Sequence, residues 1–164
     1  MSLHQSDLRL HHSSRGFTLI EMMIVVAIIA IIAAVAVPSY FGSIRKSRRA
    51  DAVNIMGQVA QAQERWRGNN TTFASDFGTS VLNVRSTAAS GVTSLTETYY
   101  TISIPTNTAT AYTVRAVALG SQLKDTQCAA MEMRMASGNL TYVSSTSSGT
   151  IAASTTDTNR CWSR

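Results

Sequence analysis

Gly16-Phe17-Thr18-Leu19-Ile20-Glu21 opens the stretch that decides the fold, and it leads directly into an apolar run from Met22 to Val37. The sixteen residues of that run carry no charged or polar side chain. A helix over residues 17–41 would be about 37 Å long at 1.5 Å per residue, which is enough to cross the hydrocarbon core of a bilayer. We therefore predict a membrane-spanning helix over residues 17–41.

Glu21 is the one charged residue between Phe17 and Phe41. A carboxylate within a membrane span is costly to bury, so Glu21 is a candidate functional residue. The alternative is that Glu21 lies at the membrane interface and has no specific role.

The residues from Gly16 to Glu21, followed by the apolar run, resemble the class III leader junction of the type IV pilin family. The resemblance implies that residues 1–16 are a prepilin leader and that a prepilin peptidase cleaves between Gly16 and Phe17, leaving Phe17 as an N-methylated terminus. It also implies that Glu21 pairs with the terminal amine of a neighbouring subunit during filament assembly. Opposite charges lower each other's cost of burial, so such a pair would favour one register between subunits.

The two cysteines, Cys128 and Cys161, lie far apart and outside any CxxC spacing. In an exported domain an isolated pair predicts a disulfide, whereas two free buried thiols are the alternative. Four basic residues lie within 45–49 and only two in the leader, so charge bias alone would keep the C-terminal side in the cytoplasm. The disulfide and the prepilin junction favour a periplasmic C-terminal domain instead.

The helix is expected to continue through Pro38, with a kink near Val35 to Pro38. In the pilin family this proline matches a region that can lose helicity in the filament, so Pro38 is an assembly candidate. Residues 42–68 read as an amphipathic half whose apolar stripe lies on a sheet while basic and acidic residues face outward. The predicted stripe contains Val53, Met56, Ala60, Gln63 and Trp66.

Residues 69–98 are predicted to form a long loop, pinned to the body by Phe73, Phe77, Val81 and Leu82. Alternating apolar and polar residues then predict strands from Tyr100 to a stop at Pro105, over 112–118, over 131–135 and from Leu140 to Val143. The last two are joined by a turn at 137–139.

These elements predict an α+β pilin fold, with the long N-terminal helix on a three- or four-stranded antiparallel sheet. Residues 99–164 form the sheet and a C-terminal loop bounded by the disulfide. This C-terminal part resembles minor pilins of the PilE type.

Catalysis has no support in the sequence: no histidine follows the leader, and no phosphate loop or metal-ligand cluster is present. We therefore expect no enzyme, no cofactor and no metal. The resemblance implies a structural minor pilin that serves pilus assembly, twitching motility and surface adhesion. Its expected partners are other pilin subunits through the N-terminal helix, the prepilin peptidase and the inner-membrane assembly machinery. Its expected location is the inner membrane and then the extracellular pilus.

Two other functions remain open on the same scaffold. One is an adhesive or DNA-uptake pilin, because basic side chains can contact phosphates. The other is a pseudopilin of a type II secretion system. The basic residues of 45–49 adjoin the span and would be shielded in a filament, so the better-placed candidates for DNA are Arg115, Lys124, Arg134 and Arg160.

Overall fold

A computed structural model describes residues 16–78, 80–84, 91–149, 151 and 161–162. Residues 1–15 of the predicted leader lie outside the described residues, as does most of the predicted C-terminal loop. The chain divides into two compact units, and the boundary falls between Phe41 and Gly42. The second unit is called the head below.

One α-helix, α1, extends from Leu19 to Arg67 and passes through Pro38. The predicted continuation past the proline is therefore confirmed, while the kink stays a prediction. In the first unit the large apolar side chains of α1 are exposed. An apolar window of this helix is long and hydrophobic enough to cross a membrane, by length and composition.

Within the head, α1 buries one face, but the predicted stripe is only partly correct. Met56 and Gln63 are buried as predicted, whereas Val53, Ala60 and Trp66 are half-buried. The buried face is rotated by about one position, because several faces of this helix offer apolar residues and the sheet selects among them. The buried residues of α1 are Ala52, Ile55, Met56, Val59, Ala62 and Gln63.

A five-stranded antiparallel sheet forms the other layer of the head, with its strands in sequence order. The strands are β1 (Ser94–Thr96), β2 (Tyr100–Asn107), β3 (Ala111–Ala118), β4 (Ala130–Ala136) and β5 (Asn139–Ser145). The four predicted strands are present. The predicted number of three or four strands is too low, because β1 adds a fifth. That strand is three residues long and lies inside the predicted loop, so it is too short to show an alternating pattern.

The predicted stop at Pro105 is wrong, since β2 continues to Asn107. Proline cannot donate a ladder hydrogen bond, and proline within a strand is therefore confined to edges and irregularities. Here the register between β2 and β3 shifts between Ser103 and Thr106, which accommodates Pro105 without ending the strand. The turn between β4 and β5 is confirmed, and Ser137 and Gly138 both have positive φ as a two-residue hairpin turn requires.

The core lies between α1 and the sheet. Alternate residues of β3 and β4 point into it, including Val114, Met131 and Met133. The predicted anchors Phe73, Phe77 and Leu82 are buried, and Val81 packs against the core as a partly buried residue.

Gln63 joins the loop after α1 to the helix. Its side-chain nitrogen donates to the Ala74 carbonyl at 2.7 Å, and its side-chain oxygen accepts from the Ala74 N–H at 2.8 Å. Both groups are buried, so this amide satisfies backbone polar atoms that water cannot reach. The loop therefore starts from a fixed position on the helix.

Candidate functional sites

The predicted processing and pairing residues lie at the start of α1. Thr18 Oγ1 accepts from the Glu21 N–H at 3.2 Å, and a Glu21 carboxylate oxygen accepts from the Thr18 N–H at 3.4 Å. This reciprocal pair is a capping box, which satisfies two backbone donors at the helix terminus. Gly16 and Phe17 precede it and are exposed. Glu21 therefore has a structural task within its own chain besides the predicted pairing.

The disulfide joins Cys128 to Cys161, and the Cα atoms are 5.8 Å apart. Both half-cystines are buried. Beside them the Trp162 indole donates to the Val143 carbonyl at 3.1 Å, and its ring lies 5.0 Å from that of Tyr142. The bond attaches Cys161 to the segment that precedes β4, and the tryptophan attaches the described C-terminal residues to β5.

Two of the predicted DNA-contacting residues are already engaged within the head. Arg115 Nε lies 3.5 Å from Glu132, and Arg134 Nη2 lies 2.6 Å from the same carboxylate, on the sheet face opposite α1. Arg115 also donates to the carbonyls of Ser148 and Gly149, and Arg134 donates to the Ile151 carbonyl at 2.7 Å. These guanidiniums hold Ser148, Gly149 and Ile151 over the sheet, which leaves them poorly placed to contact phosphate.

The other two candidates for DNA stand differently. Lys124 is exposed at the end of a short 3-10 helix, Gly120–Lys124. Arg160 lies outside the described residues.

Two of the four basic residues of 45–49, Arg48 and Arg49, also have partners in the head, although the sequence predicted that they face outward. The Arg48 guanidinium lies 3.8 Å from the centre of the Tyr99 ring and donates to Ser121 Oγ at 3.0 Å. Arg49 Nη1 lies 3.8 Å from the Asp125 carboxylate and donates to Cys128 Sγ. The basic run is therefore partly a set of tertiary contacts, which composition alone does not reveal.

A buried amide, Gln122, connects the 3-10 helix to the rest of the head. Its nitrogen lies 3.2 Å from the Arg45 carbonyl, 3.0 Å from the Tyr100 hydroxyl and 3.2 Å from an Asp125 carboxylate oxygen. Burial raises the pKa of Tyr100, and the Gln122 hydrogen bond opposes that rise. The network fixes the backbone of Arg45 and the segment that leads to Cys128. No sequence pattern predicts this network, because an isolated glutamine is typical of an exposed surface.

A cleft of about 310 Å³ opens beside this network. Three cationic residues line it, namely Arg45, Arg49 and Lys124, and the one acidic residue is Asp125. Asp125 is paired with Arg49. No ion pair of Arg45 or Lys124 occurs among the residues described. The lining is completed by Gly42, Thr126 and Gln127.

Among the described residues, no group of three or more His, Cys, Asp or Glu side chains is placed to hold a metal ion.

The exposed apolar half of α1 and the head, in which the second half of α1 packs on an antiparallel sheet closed by a disulfide, define a type IV pilin. A family model described as "Type IV minor pilin ComP, DNA uptake sequence receptor" matches residues 38–132, more than half of the chain. A second model, "Prokaryotic N-terminal methylation motif", matches residues 11–37. The chain belongs to the type IV minor pilin family that the first model describes. Its class is therefore a structural pilus subunit with a membrane-anchored precursor.

Individual relatives agree with this class. The fimbrial protein EcpC of Eikenella corrodens is 51% identical over 43 residues, which are 26% of this chain and 28% of that protein. The type IV major pilin protein PilA of Myxococcus xanthus is 37% identical over 73 residues, which are 43% of this chain and 33% of that protein. The fimbrial protein of Moraxella nonliquefaciens is 35% identical over 88 residues, which are 54% of this chain and 52% of that protein. The chain thus spans between about a quarter and a half of the length of these curated relatives.

Proposed function

We propose that this chain is a minor pilin that is cleaved between Gly16 and Phe17, spans the inner membrane once, and is then built into an extracellular pilus through residues 17–41. The observation that carries the proposal is the exposure of the apolar half of α1, because soluble surfaces rarely expose apolar patches of this extent. Lipid tails cover such a surface before assembly, and the same half of neighbouring subunits covers it afterwards. The N-terminal methylation motif supports the processing step.

The orientation in this proposal places the head in the periplasm. A buried disulfide suits an oxidising compartment. Two of the residues that make up the opposing charge bias, Arg48 and Arg49, have partners within the folded head.

Glu21 and Pro38 are the proposed assembly residues. In a filament core of low dielectric, the Glu21 carboxylate would pair with the amine of Phe17 of a neighbouring subunit, which lowers the burial cost of both charges. Pro38 removes one helical hydrogen bond, so the helix around it is the segment best able to extend during packing.

Two substitutions at Glu21 separate the pairing from the capping box. Glu21→Ala removes both, whereas Glu21→Gln keeps an oxygen that can accept from the Thr18 N–H and removes only the charge. We expect both variants to be cleaved, and both to be depleted from sheared pili relative to the wild type when measured by immunoblot. Wild-type incorporation of Glu21→Gln would show that capping, and not charge pairing, is the role of Glu21.

Twitching motility and surface adhesion are the proposed consequences of incorporation. Deletion of the gene is expected to reduce piliation, twitching and attachment to surfaces, and to leave protein secretion unchanged. Loss of enzyme export with normal pili would assign the chain to a type II secretion system instead. The prepilin peptidase and the inner-membrane assembly machinery are the partners that this route requires.

DNA binding by the head is a second candidate function, favoured by the family match over residues 38–132. The contacts within the head exclude Arg115 and Arg134 from the best candidates, so exposed cations such as Lys124 and Arg65 take their place. Phosphate contacts release counterions, and binding of this kind weakens as salt rises.

Electrophoretic mobility shift of a duplex by the soluble head tests this function. We expect a shift at low salt that is lost at higher salt, and each phosphate contact removed by Lys124→Gln or Arg65→Gln should lower the salt slope by about one. Absence of any shift at low salt would remove DNA binding from the candidate functions. A shift with the same slope in both variants would place the DNA elsewhere on the head.

A further inference from the structure

The cleft beside the Gln122 network, called the basic cleft below, has an excess of positive side chains. It combines three cations with one carboxylate, and that carboxylate is already occupied by Arg49 and the Gln122 amide. Among the residues that the structure describes, two positive charges in the cleft therefore have no ionic partner, those of Arg45 and Lys124. A cavity of about 310 Å³ with this balance suits one anionic group of the size of a phosphate diester.

The two cations are carried by backbone that the fold already holds in place. The Arg45 carbonyl accepts from the buried Gln122 amide, and Gln122 belongs to the same 3-10 helix as Lys124. Asp125, the next residue, is tied back to Arg49 on α1. Two elements of the head are thus cross-linked beside the cleft, so an anion entering it does not have to order the backbone, which lowers the cost of binding.

The position of the cleft along the chain indicates which anion is available. Gly42, one of its lining residues, directly follows Phe41, the last residue of the apolar unit. Tyr40 and Phe41 are exposed aromatic residues, a type enriched at the boundary between hydrocarbon and water. Residues that directly follow a span lie at the level of the lipid headgroups, where basic side chains meet anionic lipid.

We propose that the cleft formed by Arg45, Arg49 and Lys124 binds the phosphate of an anionic phospholipid headgroup while the subunit resides in the membrane. This proposal rests on the proposed membrane insertion of residues 17–41. The site would hold the head at the bilayer surface before assembly, and the lipid would have to leave when the subunit enters the filament. It also gives a reason for basic residues on the side of the span where the positive-inside rule disfavours them.

Native mass spectrometry of the full chain, released from bilayer nanodiscs of equal phosphatidylglycerol and phosphatidylcholine, tests the proposal. We expect the wild type to retain phosphatidylglycerol in preference to phosphatidylcholine. Each cation removed should reduce that preference about fivefold, so the double variant R45Q/K124Q should lose most of it. Arg45→Lys keeps the charge and should keep the preference. Arg65→Gln is the matched control, because it removes an exposed arginine from the far end of the same helix.

Each alternative result has a distinct meaning. An equal preference in the wild type and in R45Q/K124Q would overturn the lipid site, and so would loss of the preference in R65Q alone. Displacement of the bound lipid by millimolar inorganic phosphate or by a DNA duplex, without bilayer disruption, would show that the cleft accepts another phosphate source and would also overturn it. Failure of the chain to enter nanodiscs at all would contradict the proposed membrane insertion. This result is distinct from loss of the lipid site, because the protein itself would then be absent from the discs.

Discussion

The two halves of α1 belong to one continuous helix, and yet they differ in whether their apolar side chains are buried within the chain. From Leu19 to Phe41 the large apolar side chains are exposed, and the apolar window that could span a membrane buries nothing within its own chain. From Gly42 to Arg67 the same helix buries six residues, all of them between Ala52 and Gln63. The first half needs an environment that the chain does not supply. The second half is covered by the sheet that the chain supplies itself.

This difference means that the roles of the two halves are inferred from different features. The role of the first half is inferred from its apolar length and its lone carboxylate, because its large apolar side chains are exposed. In the head, contacts between distant residues decide the outcome, as the pairing of Arg49 with Asp125 and the clamp of Gln63 on Ala74 show. Changes in the head should therefore alter its stability, whereas changes in the first half should alter only membrane or filament packing.

Loss of the disulfide is the largest effect expected in the head. Cys128 and Cys161 are 33 residues apart, and closing a loop of that length contributes about 4 kcal/mol in the chain-entropy model. Cys161→Ser should lower the free energy of unfolding by about that amount, measured with urea on the soluble head. Reduction of the wild type should give the same loss, and reduction should not change the variant further. A loss below about 1 kcal/mol would mean that the C-terminal residues are held by Trp162 and not by the bond.

A matched pair of methionines tests the comparison between the two halves directly. Met56 is fully buried in the head, whereas Met23 is 60% exposed in the apolar half. Met56→Ala should destabilise the head by about 3 kcal/mol, because it leaves a cavity in the core. Met23→Ala should leave the unfolding of the head unchanged. Chemical denaturation of the full chain in detergent, followed by tryptophan fluorescence, measures both, and equal effects would contradict the independence of the two halves.

Alkaline pH should weaken the head through Tyr112. Burial raises the pKa of Tyr112 from 10.0 to about 12, and the nearby Glu64 carboxylate adds to the rise. The unfolded chain loses this proton first, so the stabilisation is complete below pH 10 and is lost as pH rises toward 12. Tyr112→Phe should therefore make the fall in unfolding free energy over that range shallower, by up to about 1.4 kcal/mol per pH unit. Urea unfolding of the variant and of the wild type over that pH range measures the two slopes, and equal slopes would contradict the role of Tyr112.

The sequence was sufficient to predict features that depend on a local pattern. The apolar run predicted the helix that is suited to a membrane, and alternating apolar and polar residues predicted four of the five described strands. The two isolated cysteines predicted the disulfide. It was insufficient where the partner is distant. The face of α1 that is buried depends on the sheet, so the predicted stripe included Val53 and missed Ile55 and Val59.

The missed features share one physical cause. Strand β1 is held by pairing with β2 and not by its own pattern, and Pro105 stays within β2 because an irregular register removes the need for its N–H. Gln122 acquires its role from contacts with Arg45, Tyr100 and Asp125. Arg45 and Tyr100 are distant from Gln122 in the sequence. Such roles arise from tertiary contacts, which a single sequence does not display.

Mass spectrometry of the subunit recovered from sheared pili tests the central proposal most directly. We expect the N-terminal peptide to begin at Phe17 with a methylated amine and to contain an unmodified Glu21. This result would place the processed apolar half inside an assembled filament. Recovery of a chain that retains residues before Phe17, or absence of the chain from purified pili, would contradict the account.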